Sequence, residues 1–218
     1  VNLAVHDLPL FLAAALLVNL TPGPDMLFVA GSSAVHGRRA GVLAALGVGA
    51  GCLLHVALAA VGLSALLAAS ATAFAVVKWV GAAYLVWVGV SMLRARSRVD
   101  VPTADQSAGA RTAPGSSRGF WQGAWTNALN PKVALFFLAF LPQFIVPGAP
   151  RQALSFLALG LAFTVGGVAV NIGVAVLTHR VRQGLAGRSG SARFGVWLQR
   201  AAGALFVGLG LKLAFSSR

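Results

Sequence analysis

Residues 19–26 read Asn-Leu-Thr-Pro-Gly-Pro-Asp-Met inside a run that is otherwise apolar. Residues 8–18 on one side and 27–30 on the other together approach the length of a membrane span. Pro22 and Pro24 have no backbone donor, and Gly23 bends freely, so the pattern predicts a helix broken in its middle. In hydrocarbon the freed amides and carbonyls must face protein or a wet cavity. Breaks of this kind near the midplane are where secondary transporters bind their substrates. The prolines alone fit a kinked packing helix equally well. Asp25 tips the reading toward function, because an acid in such surroundings is costly.

Composition agrees with a membrane setting. Only 10% of the 218 residues are charged and 58% are hydrophobic, whereas a soluble domain carries charge on roughly a quarter of its residues. The expectation is a single all-α transmembrane domain over residues 1–218. The formal charge of +13 comes from arginines between apolar runs. There they act as topology signals and contacts to anionic lipid, not as a nucleic-acid surface. Cys52 is the only cysteine, which excludes an intrachain disulfide and a cysteine metal site. His6, His36, His55 and His179 lack metal-ligand spacing. His55, inside a helix, reads as a packed residue and the others as interfacial. No cofactor is expected. The first apolar run lacks a basic leader and a clear cleavage site, so it reads as a span and not a removable signal.

Six spans follow from the hydropathy pattern, at about residues 8–32, 41–68, 74–93, 120–140, 153–177 and 194–215. Gly41, Gly47, Gly49, Gly51 and Gly62 make the second span suited to close packing. Lys78 and Trp79 fit an interface at the start of the third. Residues 94–119 are the only long polar segment, rich in Arg, Ser, Pro and Gly, and read as a solvated connection. Basic loops at residues 36–39 and 179–193 join the first span to the second and the fifth to the sixth. Eleven arginines fall in the first, third and fifth connections, which share one face. That face is cytoplasmic by the positive-inside rule, and both termini lie outside.

The halves resemble each other. Asn19-Leu-Thr-Pro22 parallels Ala128-Leu-Asn-Pro131, each in the first span of a three-span unit. Residues 81–89 parallel 202–210 in the third. An odd number of spans per unit makes the second insert inverted, so residues 8–93 and 120–216 are expected as inverted repeats, each with its first helix broken at proline.

Two ionisable residues sit deep in apolar surroundings, Asp25 and Lys132, each directly after its break's proline. Opposed across the pseudo-symmetry axis, they are bridged directly, by water or by substrate. Such a site suits a zwitterion, with an ammonium on Asp25 and a carboxylate on Lys132 and on free amides near Gly23. Asn19, Thr21, Asn127, Asn130, Thr164 and Asn171 are candidates for neutral hydrogen bonds; Asn130 also reads as a cap for broken backbone. Asp25 is equally a candidate proton-coupling group, with Lys132 its permanent counter-ion. A buried pair that only fixes helix packing is the competing reading. No Gly-x-Ser-x-Gly elbow, His-Glu-x-x-His pair or Walker loop is present, so the chain is not read as an enzyme, and an ion gradient or downhill flow must drive it.

Three stretches carry a family resemblance: Leu20-Thr-Pro-Gly-Pro-Asp-Met-Leu27, Lys78-Trp-Val-Gly-Ala-Ala-Tyr-Leu-Val-Trp-Val-Gly89 and Asn127-Ala-Leu-Asn-Pro-Lys132. Together they resemble the signature segments of the LysE/RhtB amino-acid exporter superfamily, and more closely its RhtB-type branch. The resemblance extends over nearly the whole chain. It implies efflux of homoserine, threonine or related neutral amino acids across the bacterial inner membrane, driven by proton motive force. By the same match Pro22, Gly23, Pro24, Asn130 and Pro131 fall on family positions. Export of basic or branched-chain amino acids stays open, as do a channel or lipid-handling protein and a structural subunit. The small-residue faces of the second and third spans would permit a homodimer.

Overall fold

Proline placement explains where the helices start and stop. The computed structural model describes residues 5–63, 117–146 and 151–184, with residues 72, 76, 79, 83, 86, 87, 90, 207, 208 and 211. Those positions, all but residue 72 inside the expected third and sixth spans, are helical. The rest of both spans, residues 94–116 and the 147–150 turn lie outside the described residues.

The first span is two helices, α1 (Leu8–Leu20) and α2 (Pro24–His36), bent by 50° at the break. Thr21, preceding Pro22, is extended at φ −68° and ψ 124°, because a proline disfavours helical backbone in the residue before it. Pro24 then opens α2 at its first position, where a missing N–H costs nothing. The second break repeats the device. Helix α4 (Ser117–Ala128) ends, Asn130 is extended at φ −77° and ψ 109°, and Pro131 opens α5 (Pro131–Leu135). The chain continues through a π-helical turn, Phe136–Phe140, and a 3-10 turn, Leu141–Phe144. The third helix, α3 (Arg38–Leu58), runs into a π-helical turn, Ala59–Leu63. The last, α6 (Gln152–Gly184), is long and apolar enough to cross a membrane, as is α3 with its extension. The fold is thus the expected all-α polytopic one, its first span broken at proline.

Several boundaries differ from the sequence reading. The connection expected at residues 36–39 shrinks to Gly37, whose φ of +88° lets α2 end and α3 begin without a loop. His179, Arg180 and Arg182 are not in a loop but in the last turns of α6. Cations there face the negative end of the helix dipole, which favours continued helix beyond the hydrocarbon. Ser117, Arg118 and Gly119, assigned to the central loop, already belong to α4.

The glycines of α3 are spent inside the chain. A Cβ on Gly47 would overlap the carbonyl oxygen of Phe120, one on Gly51 that of Ala124, and one on Gly123 that of Ala44. Helices α3 and α4 therefore touch backbone to backbone along a Gly-x-x-x-Gly face. On its other sides α3 packs Gly41 against Ser33 and Ala175, and Gly49 against Val168. These four glycines of α3 are thus occupied by contacts within the chain. Leu16, Leu46, Leu54, Leu161 and Val165 are exposed instead, as side chains facing lipid should be.

Two apolar clusters are separated along the spans. One holds Phe11, Phe136, Phe137, Phe140, Phe144, Phe156 and Phe163, with rings of Phe136 and Phe163 stacked at 4.4 Å. The other is built from Val29, Ala44, Ala45, Val48 and Ala175. The second lies toward the basic end, where Arg182 donates to the carbonyls of Ala34 and Val35. His36, Arg38, Arg39, His179 and Arg180 surround an open cavity of about 520 Å³ at that end. At the opposite end the His6 amide donates to Phe144 O at 3.0 Å, and Val5 bridges Ile145. The start of α3 and the last turns of α6 therefore lie at one end of the described helices.

Candidate functional site

Between those clusters, polar residues interrupt every described span. Along α6 the order is Phe163, then Thr164, Gly167 and Asn171, then Ala175; along α3 it is Val48, Gly49 and Cys52, then Val56. With Asn19, Thr21, Asp25, Met26, Asn127 and Lys132, the residues of these two series other than Ala175 and Val56 line one cavity of about 20 Å³, room for about a single water.

Its two ions are held by exchange between the halves. Asp25, in the first turn of α2, accepts from Asn127 Nδ2 at 2.9 Å and Asn130 Nδ2 at 2.8 Å, both at the second break. Lys132, in the first turn of α5, donates from Nζ to Val18 O at 3.3 Å and Thr21 O at 3.1 Å, both at the first break. Each charge thus follows its own proline and serves the opposite break. Each also sits at a favourable helix end: the carboxylate at the N-terminus of α2, the ammonium against the open carbonyls of α1. The direct bridge offered as one arrangement does not form. Lys132 Nζ does not lie within 4.0 Å of an Asp25 oxygen, because the ammonium is turned toward backbone carbonyls instead.

Other expectations resolve individually. Asn130 does cap: its Oδ1 accepts from the Lys132 amide at 3.0 Å. Asn19 donates to Phe163 O at 3.1 Å and Asn171 to Gly167 O at 2.9 Å, tying α1 to α6 and bracing α6 itself. Thr21 folds its hydroxyl back on Leu17 O at 2.7 Å. Gly23 differs from its sequence reading. Its φ of −159° is ordinary extended backbone, open to any residue. What the position requires is space, since an added Cβ would lie 3.0 Å from Lys132 Nζ.

Sequence reasoning missed the role of Cys52, whose Sγ lies 3.2 Å from Thr164 Oγ1 in the cavity wall. It read His55 as packing, and the ring is buried and stacked 5.9 Å from Phe137. His55 Nε2 also donates to Asn127 O at 3.1 Å, closing a carbonyl in the last turn of α4. A polar residue beside a run of glycines on an otherwise apolar helix was the available signal. Met26, Val133 and Phe163 complete the lining, and nothing in their types distinguishes them from core.

Broken spans that meet over buried, oppositely charged side-chain types are a feature of membrane transporters. Residues 16–217 match the LysE type translocators, and the chain belongs to that family, within the LysE/RhtB superfamily of amino-acid efflux transporters. It is 34% identical to a homoserine/homoserine lactone efflux protein of Salmonella typhimurium, over 94% of each chain. It is 36% identical to a leucine efflux protein of Enterobacter sp. (strain 638), over 68% of each. No solved structure matches it. The chain is accordingly a multi-pass inner-membrane protein that exports amino acids and is not an enzyme.

Proposed function

We propose that this transporter exports small neutral amino acids, homoserine and threonine first among them, in exchange for protons. The observation that carries the reading is the crossed pair of buried ions, Asp25 on the asparagines of the second break and Lys132 on the carbonyls of the first. A zwitterion presents an ammonium to Asp25, while its carboxylate meets Lys132 and the free amides that open α2. Asp25 then alternates between substrate and proton, and Lys132 remains its counter-ion.

The two halves, residues 8–93 and 120–216, act as inverted repeats rocking about this site, with both termini on the outer face. Similarity over 94% of each chain to a homoserine/homoserine lactone efflux protein supports a small polar substrate. The partial similarity to leucine efflux proteins favours a branched-chain one. Proteoliposomes loaded with each amino acid and given an inward proton gradient decide it. Homoserine or threonine efflux with proton uptake is the expected result. Efflux of leucine alone would reassign the substrate, and solute flux without proton movement would remove the antiport.

A further inference from the structure

Four buried polar atoms lack a hydrogen-bond partner among the described residues, and three of them belong to the cavity: Asp25 Oδ1, Asn127 Oδ1 and Asn171 Oδ1. All three side chains are more than nine-tenths buried, at 6%, 3% and 6% exposure. The amide orientations are not free. Asn127 must turn its nitrogen to the Asp25 carboxylate, and Asn171 must turn its own to Gly167 O, so in both the oxygen is left over. Every orphan in the site is therefore an acceptor.

Each donor group of the wall already meets an acceptor other than the three orphans. Asn19 gives its amide to Phe163 O, Asn130 to Asp25 and Thr164 its hydroxyl to Gly160 O. Lys132 turns toward the carbonyls of Val18 and Thr21. What is missing is a guest that brings donors only. A water supplies two, one fewer than the acceptors demand, and the 20 Å³ cavity holds about one. A primary ammonium supplies three, and its charge suits a site whose orphans include a carboxylate oxygen.

We propose that Asp25, Asn127 and Asn171 form a three-acceptor cradle for one primary ammonium group, so that the transporter selects substrates by the number of N–H donors on their amine. This rests on the export of amino acids argued above and adds the rule by which the amine end is read. Charge alone does not satisfy the cradle. A quaternary amine carries the same charge with no donor, and a secondary amine leaves one buried oxygen unpaired, which costs the full desolvation of that group.

The test is a series of constant charge: homoserine, N-methylhomoserine and N,N,N-trimethylhomoserine, each measured for binding and efflux with the purified full chain in proteoliposomes. Binding should fall about tenfold with the first methyl group and become undetectable with three, as expected for loss of hydrogen bonds to charged groups. Equal handling of homoserine and its N-methyl form would overturn the cradle while leaving amino-acid export intact. Failure of homoserine and the other amino acids to move at all would instead remove the functional reading.

Methyl groups also add bulk, and Asn171→Leu separates the two effects because leucine matches asparagine in branching while lacking the acceptor. The cradle predicts that Asn171→Leu weakens homoserine about tenfold and leaves N-methylhomoserine nearly unchanged, collapsing the difference between them. A steric filter predicts the same ratio in the variant as in the parent. Should Asn171→Leu not fold, the unmutated series still decides between donor count and charge.

Discussion

Lys132 Nζ lies 3.1 Å from the carbonyl oxygen of Thr21, so a cation from the second half of the chain closes the open end of the first half's broken helix. The same ammonium reaches Val18 O, which otherwise accepts only a 3.2 Å bond from the Thr21 amide. A helix that stops in the membrane leaves its last carbonyls without donors, and here water is scarce. Lys132 thereby has a structural task beside any contact it makes with substrate.

Lys132→Met keeps the aliphatic stem and removes the donor. It should lower stability by about 1–3 kcal/mol, the cost of leaving buried acceptors unpaired, and abolish efflux. Thermal unfolding in detergent micelles measures the first. An unchanged melting temperature would mean that water caps α1 as well as lysine does.

Gly23 and Lys132 should be coupled. A Cβ at Gly23 would come 3.0 Å from Lys132 Nζ and 3.5 Å from its Cε. Gly23→Ala alone should force the lysine tip off its carbonyls and destabilise the protein by about 1 kcal/mol. In Lys132→Met the nearest atom is gone, and the same alanine should be almost neutral. A double-mutant cycle reads this as a coupling of at least about 0.5 kcal/mol, typical of residues in contact. Simple additivity would show that Gly23 serves some other need, such as backbone freedom.

The breaks, the two ions and the asparagines were legible in the sequence because each is an anomaly in an apolar run. Proline, aspartate and lysine have few reasons to be there. The partnership between them was not legible. Asp25 pairs with Asn127 and Asn130, and Lys132 with backbone carbonyls; both depend on how the halves cross, which spacing along one chain does not encode. Gly23 illustrates a further limit. Its type suggested backbone freedom, while its φ is ordinary and only the arrival of Lys132 explains it. Cys52 and Phe163 face the cavity through the rotation of α3 and α6 about their own axes. Both helices are apolar all round, so periodicity gives no sign of that rotation. The C-terminal end of α6 differs for the opposite reason: its charges suggest a loop, although arginine is a good helix former.

Asp25→Asn should separate fold from transport. The amide oxygen still accepts from Asn127 and Asn130, so the brace between the breaks survives in part and the melting temperature should fall by only a few degrees. Proton-coupled efflux should fall to background. Measured together in proteoliposomes, intact folding with lost flux assigns Asp25 to the transport cycle. Flux retained at parental rates would reduce the residue to a packing element.

The glycines offer a sharp contrast within one residue type. At Gly47, Gly51 and Gly123 an added Cβ would overlap a backbone carbonyl of the facing helix, and backbone cannot swing aside as a side chain can. At Gly31 in α2 and Gly173 in α6 nothing lies within 4 Å of the same position. Alanine at any of the first three should force α3 and α4 apart and destabilise by more than about 2 kcal/mol, in the range of overpacked cores. Alanine at Gly31 or Gly173 should be neutral or stabilising by up to about 1 kcal/mol, since both lie in helix interiors where glycine is the poorer former. Expression level and melting temperature of the five single variants test this together. Similar behaviour across the five would mean that α3 and α4 do not touch backbone to backbone, and the α4 end of the site, with Asn127, would lose its anchor.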